Sequence, residues 1–310
     1  MNKKEMIELV DRNYDGVDLG NSYTKSRKIR FASKVKLGKK LTGVAKTRLK
    51  KDVHYVEYEG QYYVVGDGKM FTTAERYFST QYKLCLLTAI ALNHPGEEFI
   101  QTAVCVGLPF KYHKLYAQRI IDLYSNKQYN ITVNDKKYTI RITDMEVFVG
   151  GSLPIRDNDS RHILTIDVGG GTIDVTQFNN LEIEKFETYP TAMNDIYADI
   201  VDYLYDNNLG EFTPSKVEKF FNKTTIMVDQ QPVDISGIRE VIQQDITEVA
   251  SWIRDKFDTQ DVDEIYIMGG GGMDTYKYWK TDFPTSKLAE NTQFVNSDIY
   301  EMVAKEIANE

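Results

Sequence analysis

Three glycine-containing turns in the 310-residue chain combine the residue types that handle phosphates. In the central one, Leu164-Thr-Ile-Asp-Val-Gly-Gly-Gly-Thr-Ile-Asp-Val175, an alternating apolar run is interrupted by three glycines and then resumes. The pattern predicts a hairpin with a ligand at its tip, because glycines admit positive φ and let backbone N–H groups converge on phosphate oxygens. Asp167 enters the turn and Thr172 leaves it, which puts a carboxylate and a hydroxyl beside the cradle. A carboxylate next to phosphates calls for a cation between them, and hard Mg2+ with oxygen ligands and retained waters fits best. Taken alone, the same glycines are explained by a tight hairpin with no ligand.

A second copy of the pattern favours the ligand. Val17-Asp18-Leu-Gly20-Asn-Ser-Tyr-Thr-Lys25 again sets an Asp two residues before a Gly at a strand-to-turn junction, followed here by a lysine. Two such hairpins could face each other across one nucleotide. A third run, Ile265-Tyr-Ile-Met-Gly-Gly-Gly-Gly272, follows an apolar strand, where a purine and its ribose could pack against bare backbone.

The elements that must position these turns alternate between strand and helix. Strands are expected at Asn13 to Leu19, Ile29 to Val35, Val53 to Tyr58, Gln61 to Val65, Phe99 to Leu108, Tyr129 to Val133, Tyr138 to Ile142 and Glu264 to Met268. Glu59-Gly60 and Asn134-Asp135 carry hairpin signals, and Phe99 to Leu108 has the unbroken apolar character of a strand covered on both faces. Helical spacing marks Thr73 to Asn93, Tyr112 to Ser125, Pro214 to Phe221, Ile235 to Phe257 and Ile299 to Ile307, and Asn194 is placed to cap a helix reaching about Tyr205. Residues 1–12 read as a short polar extension.

Composition bounds the class. Apolar residues make up 42% of the chain, enough for a large core. Leu84 to Leu92, the longest strongly apolar run, falls far short of a membrane span. Met1-Asn-Lys-Lys-Glu-Met6 opens no secretory leader, and two cysteines with four histidines give no disulfide framework, so a cytoplasmic protein without a membrane role is expected. The formal charge is −8, yet Lys25 to Lys51 holds twelve Lys or Arg and no Asp or Glu. Such a block grips DNA or the acidic face of another copy, or is a solvated loop.

On these residues the chain resembles the actin/Hsp70/sugar-kinase superfamily and, within it, the plasmid-partition actins of the ParM/StbA type. Asp18-Leu-Gly-Asn-Ser-Tyr-Thr-Lys25 is similar to the first phosphate loop of that family, Ile166-Asp-Val-Gly-Gly-Gly-Thr-Ile-Asp174 to the second, and Met268-Gly-Gly-Gly-Gly272 to the adenosine motif. Phe31-Ala-Ser-Lys-Val35, Val106-Gly-Leu-Pro109, Gln293-Phe-Val-Asn296 and Tyr300 match secondary features. The resemblance implies an α/β protein of two RNase H-like domains, each with a five-stranded sheet, with a nucleotide cleft between them. Domain I would comprise 1–160 with a C-terminal helix at 295–310, and domain II 161–294.

Carried over residue by residue, the resemblance implies that Asp18 and Asp167 hold a hydrated Mg2+ and that Lys25 neutralises phosphate charge. Gly20, Asn21, Ser22 and Tyr23, together with Gly169, Gly170, Gly171 and Thr172, would clasp the phosphates of ATP or ADP. Gly269, Gly270, Gly271, Gly272 and Met273 would line the adenosine, with Lys216, Lys219 and Phe220 as the other wall and Asn194 nearby. Partition actins place an acid just before the second domain to orient the attacking water. Here that segment reads Val147-Phe-Val-Gly-Gly-Ser-Leu-Pro154, which leaves Glu146, Asp174 or Asp167 for the task. Glu146 also reads as an exposed strand residue and Asp174 as a structural hydrogen-bonder. The implied function is an ATPase that polymerises into filaments on Mg-ATP and moves plasmid or phage DNA through a DNA-binding adaptor. A small-molecule kinase and a nucleotide-binding scaffold with weak hydrolysis are the alternatives.

Overall fold

The computed structural model describes residues 13–40, 52–70 and 73–309; the expected N-terminal extension and positions 41–51 of the basic run lie outside them. The chain divides into two compact units, 1–150 with 296–310, and 151–295.

In the first unit β1 (Asn13–Leu19) folds back on β2 (Tyr23–Ser26), and β3 (Ile29–Ala32) pairs with β2. The single strand expected from Ile29 to Val35 is two. The chain breaks at Ser33, whose N–H donates to Ser22 O (2.9 Å) and whose carbonyl accepts from Gln81 Nε2 (3.0 Å). Beyond it, β4 (Lys34–Leu37) joins a separate group with β5 (His54–Tyr58), β6 (Gln61–Val65) and β7 (Lys69–Met70).

The expected helix from Thr73 is likewise divided. A 3-10 turn, Ala74–Phe78, ends at extended Ser79, whose hydroxyl accepts the Tyr82 N–H and so caps α1 (Thr80–Asn93). The helix is apolar on nearly every side, Leu84 to Ala91 being buried, and packs as a core rod. β8 (Phe99–Leu108), β9 (Lys127–Val133) and the long β10 (Lys136–Val149) complete the unit's sheet, with α2 (Phe110–Tyr124) connecting β8 to β9. Its order is β3-β2-β1-β8-β10-β9-β5-β6-β4-β7. The five strands implied by resemblance are the first five here, and five more extend them.

The second unit holds α3 (Leu153–Asp157), β11 (Ile163–Val168), β12 (Ile173–Asn179), β13 (Glu182–Tyr189), α4 (Met193–Asp206), α5 (Pro214–Phe220), β14 (Thr225–Val228) and β15 (Gln231–Asp234). These are followed by α6 (Ile238–Lys256), β16 (Glu264–Met268), α7 (Gly269–Asp282) and β17 (Lys287–Leu288). The main sheet runs β13-β12-β11-β16-β17. β11–β12 and β12–β13 are antiparallel and β11–β16 and β16–β17 parallel, which repeats the order and directions of β3-β2-β1-β8-β10. The α6 stripe of Ile238, Ile242, Ile246, Val249 and Ile253 is buried, each side chain contributing roughly 1.5–3 kcal/mol. Among the described residues no helix is long and apolar enough to cross a membrane.

The last helix, α8 (Val295–Asn309), returns to the first unit. It lies so close to β1 that a Cβ on Gly16 would collide with the backbone of Ser297 and Glu301, and one on Gly107 of β8 would collide with the Tyr300 ring. Arg27 Nε holds Glu301 Oε1 at 3.0 Å on the same seam. Gly16→Ala should therefore cost about 2–3 kcal/mol of stability, read as a lowered urea midpoint with unchanged slope; an unchanged midpoint would refute the packing.

Candidate functional site

In the first unit, β1 delivers Asp18 opposite Lys25 of β2, with Nζ 3.5 Å from Oδ2 and both side chains mostly buried. Gly20, Asn21 and Ser22 form the tip, and a Cβ at Gly20 would come 2.9 Å from Tyr23 O. Among the described residues the buried Ser22 hydroxyl has no hydrogen-bond partner. The Tyr23 ring is covered by the Arg30 guanidinium at 3.8 Å.

The tip is held by a residue that sequence reasoning missed. Arg76, in the 3-10 turn, donates to Leu19 O, Gly20 O (3.1 Å) and Asn21 Oδ1. The helical spacing read from Thr73 onward does not distinguish Arg76 and no motif marks it, so only the fold reveals it. Glu146 lies on β10 in this unit, beside Cys105 of β8, and its Oε1 accepts the Val147 N–H at 2.9 Å.

In the second unit, cross-strand register aligns Thr188, Asp174, Asp167 and Met268 over β13, β12, β11 and β16. Directly opposed residues share a face, so the two carboxylates are neighbours. The Gly169 N–H closes the turn on Thr172 O at 3.0 Å. The start of α4 is tied to the same turn: Met193 N–H donates to Gly169 O (3.4 Å) and Asn194 N–H to Gly170 O (2.8 Å). Asn194 is thus the second residue of α4, and its side chain does not cap it. Ala192 occupies the cap, its N–H accepted by Asp195 Oδ2 at 2.9 Å.

The glycine run expected as open backbone is the first turn of α7. Gly269 has φ +83°, with Asp167 Oδ1 and Val168 O lying where a Cβ would stand, and Gly271 rests on Val168 and Met193. The hairpin turn, the start of α4 and the start of α7 therefore meet at one place. α7 has no side-chain cap; the Gly269 N–H donates to Thr292 O (3.2 Å), and the N–H groups that follow it, with the helix dipole, offer an anion site beside Asp167. Met273 is exposed one turn on. On α5, Lys216 and Lys219 are exposed, whereas Phe220 is buried against Phe212, ring centroids 5.3 Å apart. Asn222 Nδ2, just beyond α5, reaches Asp274 Oδ1 of α7 at 3.1 Å.

Among the described residues no three potential ligands cluster as a metal cage. A magnesium ion brought by a nucleotide suits this donor set, since it needs one or two carboxylates, phosphate oxygens and water.

A family model described as the N-terminal domain of actin-like proteins matches residues 16–152. Residues 16–152 thus form an actin-like N-terminal domain, and the fold of the chain is actin-like. Its fold is shared with a ParM protein of Clostridium botulinum, solved as a 15-stranded filament, at 19% identity over 96% of this chain and 100% of that one, with a TM-score of 0.79. The archaeal actin homologue Ta0583, in complex with ADP, matches at 16% identity over 95% and 99% of the two chains, TM-score 0.77. The apo pSK41 ParM matches at 17% over 97% and 99%, TM-score 0.73. No curated protein sequence is significantly similar to this chain.

Burial pushes the Asp174 carboxyl up to about 7; the Asp167 charge adds to the shift, and the bond from Thr188 Oγ1 (2.7 Å) opposes it. The unfolded carboxyl ionises near 3.8, so between that value and about 7 the folded protein keeps a proton that the unfolded chain has lost. Stability from this group is present at low pH and falls as pH rises through the interval. Asp245, raised to about 7 chiefly by burial, contributes with the same sign. In Asp174→Asn the decline should be shallower, and the variant's melting temperature should gain on the wild type as pH rises from about 4 to above 7; parallel profiles would reject the assignment.

Proposed function

We propose that this protein is an ATPase that assembles into filaments on binding Mg-ATP and segregates plasmid or phage DNA in the cytoplasm through a DNA-binding adaptor. The observation that carries the reading is the repeated hairpin. Two units with the same strand order each present an Asp two residues before a glycine at the same strand junction, in a fold also seen in an ADP complex and in a filament. The hairpin of each unit supplies a phosphate loop, Lys25 offsets phosphate charge, and Asp18 and Asp167 take the magnesium, largely through water. When bound, the ion shields the phosphates and polarises the bond to be broken. The starts of α4 and α7 favour negative charge beside Asp167.

Water activation is assigned to Asp167. Asp174 and Glu146 are the weaker choices, because Asp174 accepts the Thr188 hydroxyl and is pushed up to about 7 by burial, and the Glu146 carboxylate already accepts the next backbone N–H. Those observations also favour a second reading, a nucleotide-binding scaffold with slow hydrolysis. Phosphate release and sedimentation, measured together with Mg-ATP, separate the two. The ATPase reading expects both, and Asp167→Ala should lower release on the order of 100-fold. Nucleotide binding without release or assembly would establish the scaffold, and sugar-dependent turnover a kinase.

The basic residues of Lys25 to Lys51 are proposed to dock on an acidic surface of a neighbouring copy. Lys39 and Lys40 belong to that run. Their joint replacement by Glu should weaken ATP-dependent light scattering, as should added salt; scattering indifferent to both would reject the contact.

A further inference from the structure

Arg76 carries a charge that no carboxylate among the described residues matches, and its Cζ lies 5.3 Å from the centroid of the Tyr77 ring. The residue is only 6% exposed, and its three acceptors, Leu19 O, Gly20 O and Asn21 Oδ1, are all neutral oxygens. Among the described residues no carboxylate pairs with it, whereas Lys25 on the same hairpin has Asp18 at 3.5 Å. A guanidinium withdrawn from water is unfavourable unless an anion compensates it. The same tip holds a second group left unmet among the described residues, the buried hydroxyl of Ser22. With Lys25 and Arg76 set against Asp18 alone, the hairpin keeps an excess positive charge next to an unpartnered donor. An anion with several oxygens is the ligand whose chemistry would meet both needs.

We infer that Arg76 is a positioning residue for polyphosphate: it pins residues 19–21 by three hydrogen bonds, and the phosphate groups of the bound nucleotide complete its charge. The inference rests on the nucleotide reading above and adds to it a residue outside the three glycine motifs. Its physical signature is selectivity. Adenosine carries no phosphate, so Arg76 should matter for ATP and not for adenosine. A residue that merely stiffened the fold would affect both ligands alike.

The test uses the full chain, with apparent dissociation constants for Mg-ATP and for adenosine taken from ligand-induced thermal shifts. Arg76→Gln should weaken Mg-ATP about tenfold or more, the scale of one charge-assisted contact, and adenosine less than about twofold. Arg76→Lys keeps the charge and should recover most of the Mg-ATP affinity, which decides the matter if the Gln variant does not fold. Equal losses for both ligands, an unchanged Mg-ATP affinity in Arg76→Gln, or a Lys variant as weak as the Gln variant would overturn the inference. If wild-type protein binds adenosine and ATP equally, or neither, the nucleotide reading itself fails, an outcome distinct from the others.

Discussion

Strand register at two hairpins decides where charge sits in this molecule. Asp18 faces Lys25 across β1 and β2, and Asp167 faces Asp174 across β11 and β12. Side chains alternate along a strand, so a slip of one residue would carry each acid to the other face. The apolar pattern prevents the slip: Val17 and Leu19 beside Asp18, and Ile166 and Val168 beside Asp167, are all buried. Hydrophobic burial thereby pins polar groups that would not choose their own places.

The shared hairpin is electrostatically different in the two units. The first pairs its acid with a lysine and adds a buried arginine, so its tip is cationic. The second opposes two acids and relieves them by keeping Asp174 protonated up to about pH 7 and by ending two helices, α4 and α7, at the turn. In the proposed nucleotide reading, one cradle would attract phosphate by side-chain charge, and the other by backbone dipoles with a carboxylate ready for a cation. Both stand on buried apolar elements, the Leu84 to Ala91 stretch of α1 in one unit and the α6 stripe in the other.

Much of this was legible in the chain because the signals were local. Asp-x-Gly at a strand end, unbroken apolar β8 and the Glu59-Gly60 and Asn134-Asp135 turns each need only a few consecutive residues. The turns at Asn180-Leu181 and Asp229-Gln230 have the same left-handed backbone, yet Leu and Gln seldom adopt it, so sequence gave no cue. The division at Ser33, the start of α7 at Gly269 and the reach of Arg76 to residues 19–21 depend on partners distant in sequence. Glycine ordinarily disfavours helix; at Gly269 and Gly271 it is required because Asp167, Val168 and Met193 leave no room for a side chain.

The strands at the margins of both sheets share a further property. β7 and β17 have two residues each, β3 has four including Arg30, and β13 carries Glu182, Glu184, Lys185 and Glu187. Short or charged margins offer little template for a stray strand to zip onto. Such margins shield the chain from amyloid-like stacking and leave any ordered association to side-chain surfaces, where contacts can be undone.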